Sequence, residues 1–228
     1  MIRFDQVSKR YAGGCQALSE LSFEIDAREI VFLTGHSGAG KSTLLRLIGL
    51  LERPSRGSIL MHGTNLAKVR KRGIPLLRRQ VGMIFQDHRL LHDRTVFDNV
   101  AMPLVIAGAR RPELGRRVRA ALDKVGLLGK ERAIPVTLSG GEQQRVGIAR
   151  AIVTKPPVVL ADEPTGNLDP ELSAEIMQLF AQLNEVGMCL IIASHDLELV
   201  RHMNRRVLVL EHGRLVDDFR PAQHSRPG

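Results

Sequence analysis

The run Gly35-His36-Ser37-Gly38-Ala39-Gly40-Lys41-Ser42 constrains this chain more than any other stretch. It lies between the apolar run Ile30-Val31-Phe32-Leu33-Thr34 and the helical one Ser42-Thr43-Leu44-Leu45-Arg46-Leu47-Ile48, which its last residue opens. Strand, glycine-rich loop and helix form the context that gives this phosphate-loop pattern its meaning. The glycines let the backbone turn so that successive N–H groups converge on an anion, and the helix N-terminus adds a positive dipole end. Loop residues 35–40 and Thr43 are thus expected to cradle nucleotide phosphates. Lys41 is expected to reach the β- and γ-phosphates of ATP, and the Ser42 hydroxyl to ligate Mg²⁺.

A second apolar run, Val158-Val159-Leu160-Ala161, delivers Asp162 and Glu163 at its C-terminal end, where open α/β sheets bind ligands. Successive strand residues point to opposite sides, so the two acids are expected to differ in role. Asp162 suits Mg²⁺, and Glu163 suits orienting and polarising an attacking water.

Further β-rich runs cover residues 2–7, 21–25, 58–61, 81–85, Cys189–Ala193 and 207–210. Pro170–Glu185 has Leu172, Ile176, Leu179, Phe180 and Leu183 on one helical face. Alternating strands and helices predict an α/β fold around a mostly parallel sheet. The closely spaced first strands predict an N-terminal antiparallel β-layer. Between residues 87 and 155 the strand signal gives way to helical stretches at 96–107, 113–125 and 142–153, read as an inserted helical subdomain. The expected organisation is one domain over 1–220, with its core in 1–86 and 156–219. A polar, breaker-rich tail, 220–228, is expected to be disordered.

Composition narrows the setting. With 228 residues, 43% of them hydrophobic, the chain can bury a core without covalent staples. No run approaches the roughly 20 apolar residues that span a bilayer. Cys15 and Cys189 fit neither a disulfide framework nor a metal spacing. The net charge of +9 comes with arginines clustered at 70–79, 110–119 and 201–206. Nucleic acid, an anionic membrane surface and a solvated basic face all remain open to such a surface. Aromatics are only 4%, too few to furnish a platform for stacked bases, so no nucleic acid is expected as a partner.

Leu138-Ser139-Gly140-Gly141-Glu142-Gln143 is a second glycine-containing turn that enters a helix. Ser139 is a plausible N-cap, and the glycine pair offers another nest of N–H groups; an ordinary capped helix is the competing reading. The three motifs in this order resemble the ATPase subunits of ABC transporters over nearly the whole chain. The resemblance implies a P-loop NTPase core of the ABC type and ATP and Mg²⁺ as ligands. It also implies a head-to-tail homodimer in which Ser139, Gly140, Gly141 and Glu142 of one copy close on the nucleotide of the other. By the same resemblance Tyr11 stacks on adenine, Gln86 senses Mg²⁺ and water, Leu168-Asp169 crosses the dimer interface, and His195 contacts the γ-phosphate. Catalysis is thereby assigned to Glu163, His195, Gln86 and Lys41, and metal binding to Ser42, Gln86 and Asp162. Gly166-Asn167 stands where Ser-Ala is commoner, a form known in a subgroup.

His36 and Asp87-His88 are not dictated by the general motifs. Together with 82–91 and 93–100 they resemble a branch of the family that acts in bacterial cell division. That resemblance implies an integral membrane partner, further division proteins, and a place on the cytoplasmic face of the inner membrane. A partner's docking groove is expected after Gln86, lined by Leu90, Leu91, Val96, Met102 and Leu104. Lipoprotein-releasing and macrolide-export ATPases are the nearest alternative. A DNA-acting ATPase, favoured by charge alone, would need a long insertion for which 228 residues leave no room.

Overall fold

The computed structural model describes residues 1–166 and 168–221. The first half of the chain runs β1 (Ile2–Arg10), β2 (Gln16–Ile25), β3 (Ile30–Thr34), α1 (Lys41–Ile48), β4 (Arg56–Met61), β5 (Thr64–Asn65), α2 (Ile74–Arg78) and β6 (Val81–Ile84). Three helices follow: α3 (Val96–Ile106), α4 (Arg111–Lys124) and α5 (Gly140–Ile152). The chain continues through β7 (Val158–Asp162), α6 (Pro170–Glu185), β8 (Cys189–Ala193), α7 (Leu197–Met203), β9 (Arg206–Glu211) and β10 (Arg214–Phe219).

Two sheets organise these elements. The antiparallel one has the order β2-β1-β4-β5, and its inward residues alternate with outward ones, as Ile2 and Phe4 alternate with Arg3 and Asp5. Phe4 and Phe23 stack across it with ring centroids 4.5 Å apart. The six-stranded sheet has the order β10-β9-β3-β8-β7-β6 and is parallel except for its edge strand β10. Strands β3, β7 and β8 are buried on both faces except at Asp162, which is why they read as unbroken apolar runs. One core cluster lies between the sheets around α1; the other joins the second face of the large sheet to α3, α4, α5 and α6.

The α/β architecture, with its mostly parallel sheet and N-terminal antiparallel layer, is the one expected. Strands β5 and β10 and helices α2 and α7 were not expected from the sequence. The proposed tail lies outside the described residues apart from Arg220 and Pro221. The expected groove needs correction: Leu90, Val96 and Leu104 are buried among α3, α4 and α5, and only Leu91 and Met102 of that set are exposed. Apolar side chains at helical spacing after Gln86 build a local core instead. Within it Asn99 is fully satisfied, its Oδ1 accepting from the Leu91 N–H (2.8 Å) and its Nδ2 donating to the Leu91 and Thr95 carbonyls.

Candidate active site

Strand register assembles the site. Leu33 pairs with Ala193 and Ala193 with Asp162, so β3, β8 and β7 end in one row. Ile84 pairs with Ala161, which brings Gln86 to the same edge two residues later. Gly35, Glu163, His195 and Gln86 therefore converge although they are far apart in sequence. A cleft of about 570 Å³ is lined by Ser37–Thr43, Gln86, Glu163 and His195, and closed on one side by Cys15, Gln16 and Ala17.

The phosphate loop is packed too closely for side chains at its first turn. Gly35 has φ 139°, and a Cβ there would lie 2.1 Å from the Leu210 carbonyl oxygen. No side chain caps α1 at Gly40 and its first turn holds no acid, so its leading N–H groups are left for an external anion. This is the observation by which the loop fits a phosphate. Lys41 is almost fully buried; its Nζ donates to the carbonyls of Gly35 (2.7 Å) and His36 (3.3 Å) and lies 3.8 Å from Glu163 Oε1. The His36 ring does not line the cleft and lies 4.9 Å from the His212 ring.

Glu163 has φ 49°, a left-handed conformation uncommon outside glycine. Its N–H still donates to the Ala193 carbonyl (3.0 Å). Its Oε2 accepts from both the backbone N–H (3.2 Å) and the ring Nδ1 (2.8 Å) of His195. The carboxylate is thus gripped between Lys41 and His195. Asp162 takes the other direction: its Oδ1 accepts from the Ser42 hydroxyl at 3.0 Å. Burial pushes the Asp162 carboxyl above its usual range, opposed by the Ser42 hydrogen bond. Two hard oxygen donors side by side, one of them an acid strained by burial, fit a small hard cation such as Mg²⁺. Gln86 is exposed and borders both this pair and the cleft around Lys41.

Other expected residues sit apart. The Tyr11 hydroxyl lies 3.4 Å from Thr43 Oγ1, and Lys9 Nζ stands 4.8 Å from the Tyr11 ring centroid. Lys9 is a partner the sequence did not reveal, because it is anchored to Glu52, 43 positions away, at 2.7 Å. Ser139 caps α5 in a reciprocal box with Glu142, while Gly140 and Gly141 open its first turn. Gly141 packs on α6, where a Cβ would lie 2.0 Å from Leu172 Cδ2. Glu142 pairs with Lys130, which holds its carboxyl below the usual range together with the Ser139 N–H. None of Ser139, Gly140, Gly141 and Glu142 lines the cleft around Lys41. Leu168 and Asp169 immediately precede α6, which Asp169 caps through the Leu172 N–H.

The class of protein follows from fold and sequence together. Residues 18–166 match the ABC transporter family, and the chain belongs to that family. The dimeric structure of MJ0796, a bacterial ABC transporter cassette, superposes with a TM-score of 0.90 at 33% identity, over 97% of this chain and 99% of that one. A second MJ0796 dimer, in a post-hydrolysis state with ADP and Pi, gives the same TM-score at 32% identity, over 97% of this chain and 99% of that one. Among curated proteins, the chain is 59% identical over 215 residues to the cell division ATP-binding protein FtsE of Escherichia coli (strain K12), covering 94% of this chain and 97% of that protein. FtsE of Mycobacterium tuberculosis (strain H37Rv) is 48% identical over 219 residues, covering 96% of this chain and 95% of that protein.

Proposed function

We propose that this protein is an ATP-binding and hydrolysing subunit of a membrane ABC complex in bacterial cell division. The carrying observation is the convergence of Lys41, Glu163 and His195 at one sheet edge beside the Ser42–Asp162 pair. The near-full-length identity to FtsE proteins supports the division role. Residues 1–220 act as one unit, with residues 87–155 as its helical subdomain.

In this reading the loop N–H groups and Lys41 bind the β- and γ-phosphates, and Tyr11 supports adenine. Lys9, behind the Tyr11 ring, is positioned to fix its orientation. Ser42, Asp162 and Gln86 would hold Mg²⁺, whose charge would offset that developing on the transferring phosphoryl group. Glu163 orients water, and His195 sets the direction of its carboxylate while facing the γ-phosphate position. A second copy supplies residues 139–142, so the working species is a homodimer. The membrane partner is an integral protein like FtsX, with further division proteins attached. No described helix is long and apolar enough to cross a membrane, so the subunit is peripheral, at the cytoplasmic face of the inner membrane through that partner.

Glu163→Gln tests this reading. It should retain ATP and accumulate as a nucleotide-bound dimer on size exclusion, with phosphate release down by about 100-fold or more. Turnover close to that of the unmodified protein would remove Glu163 from the proposed role.

A further inference from the structure

A cavity of about 760 Å³ opens at the other end of the large sheet from the cleft around Lys41. Its lining includes Pro156, Pro157 and Met188, which lead into β7 and β8, whereas Glu163 follows the far end of β7. At about 3.3 Å per residue, Pro157 and Glu163 are roughly 20 Å apart. Much of the lining is apolar, with Ile152, Leu183 and Met188 buried in it. Pro156 and Pro157 carry no N–H and so add no donor. Val186, between α6 and β8, also lines it and is 66% exposed, more than any other large apolar side chain among the described residues. Arg116, Arg117, Lys124 and Lys155 bring cations to the same lining, against one acid, Glu113. Arg117 takes that acid at 3.1 Å. The other three cations are exposed, and none has a carboxylate within 4.0 Å among the described residues.

We infer that this groove docks an acidic amphipathic helix of a partner protein. Its carboxylates meet Arg116, Lys124 and Lys155, and its apolar face covers Val186 and the buried lining. Charge selects the acidic occupant, because a neutral or cationic segment would leave three cations unmatched around an apolar surface. Spacing favours a chain over a small anion. Arg116 and Lys124 stand eight positions apart on α4, about 12 Å along its axis, which suits carboxylates two turns apart on a partner helix better than one carboxylate or phosphate. Nucleic acid would satisfy the cations, but the lining offers its bases no aromatic face. A flat membrane would reach the cations and leave the recessed apolar lining unfilled. The chain's own residues 222–228 contain no acid and do not match the charge. Such a partner is additional to the membrane protein of the proposed function and sits far from the cleft around Lys41.

The probe is a fluorescein-labelled synthetic peptide of about 14 residues, four helical turns, with leucine at every third or fourth position and glutamate elsewhere. Its anisotropy should rise saturably with the full-length protein in the absence of nucleotide, so the outcome does not depend on whether the cleft hydrolyses ATP. Because the whole chain carries +9, matched controls are essential. A peptide of the same composition in scrambled order, without the apolar stripe, should bind at least about tenfold more weakly. Lys124→Glu/Lys155→Glu should lower affinity for the ordered peptide at least about tenfold, and so should Val186→Asp. Arg56→Glu/Arg70→Glu, with the same change in charge as the first variant, should leave it nearly unaltered. Circular dichroism and ATP binding check that every variant is folded. No binding of the ordered peptide up to about 1 mM, equal binding of the scrambled one, or equal losses in the two charge variants would overturn the inference. Flotation on phosphatidylglycerol vesicles that Lys124→Glu/Lys155→Glu abolishes would assign the groove to lipid and overturn it as well.

Discussion

Lys41 spends its ammonium on two loop carbonyls and a neighbouring carboxylate, all of them its own chain's groups. A phosphate entering the loop would compete for the same donor and form charge-assisted hydrogen bonds with it. Lys41→Ala leaves the loop N–H groups and the α1 dipole intact, so it should weaken rather than erase the anion site. We expect ATP affinity to fall about 10- to 100-fold, as loss of one or two hydrogen bonds to a charged group implies; titration calorimetry reads it directly. Unaltered affinity would exclude the loop as the phosphate site. The two cysteines provide an independent check on the cleft. Cys189 is buried, and burial pushes its thiol up to about 11, so it stays protonated and inert at neutral pH. Cys15 is exposed and borders the cleft beside Gln16 and Ala17. Alkylation followed by mass spectrometry should therefore find one reactive thiol, and MgATP should slow its modification. The same rate at Cys15 with and without nucleotide would place the nucleotide elsewhere.

Element by element, the connection between the Gln86 segment and α5 explains residues whose motif gave no reason for them. His88 and Arg89 both take left-handed backbone conformations, at φ 54° and 49°. Such a bend persists only where its surroundings hold it. Arg150 on α5 donates to both of their carbonyls, and the buried Gln144 accepts from His88 Nδ1 at 2.6 Å. Arg150→Ala would strand two carbonyls and release the bend. It should lower stability by about 2–4 kcal/mol, given two hydrogen bonds to a charged donor. It should also slow hydrolysis more than it weakens ATP binding; a thermal melt and steady-state kinetics separate the two effects. The sequence made some of these elements legible and hid others for physical reasons. Strands β3, β7 and β8 are sandwiched in the sheet and so appear as apolar runs, and α6 has a clean apolar face between Pro170 and Gly187. Strand β10 is an edge with five of six residues outside the core and reads Arg-Leu-Val-Asp-Asp-Phe, so its apolar signal is weak. Helices α2 and α7 have five and seven residues, too short to establish a period. The phosphate loop, Asp162 and Glu163 could be found because motif and context coincide within a few residues. The grips of Arg150 on residues 88 and 89 and of Lys9 on Glu52 span 61 or more and 43 positions, respectively, and no local pattern announces them.

At the scale of the whole molecule, one chain holds two glycine-containing turns that each lead into a helix and do not face a common cleft. The turn at Gly35–Ser42 opens onto Glu163 and His195, while residues 139–142 sit at the start of α5, with the Ser139 hydroxyl already capping the Glu142 N–H. If each ATP is shared, the defects in Lys41→Ala and Ser139→Arg fall on different halves of different sites. Each variant alone would form dimers with both sites damaged. In a mixed dimer one site collects both defects, and the other joins an intact phosphate loop to an intact residue 139–142 turn. With two-fold symmetry and random pairing, half the dimers are mixed and each has one sound site of two, so mixing should restore up to about a quarter of the original turnover. The measurement is phosphate release from the two variants separately and after equimolar mixing, with exchange of subunits verified by a tagged copy. Activity that stays at the sum of the two separate values, once exchange is shown, would mean that each site is completed within its own chain. Recovery above that sum requires the nucleotide to lie between two copies, each contributing one of the turns that its own fold keeps apart.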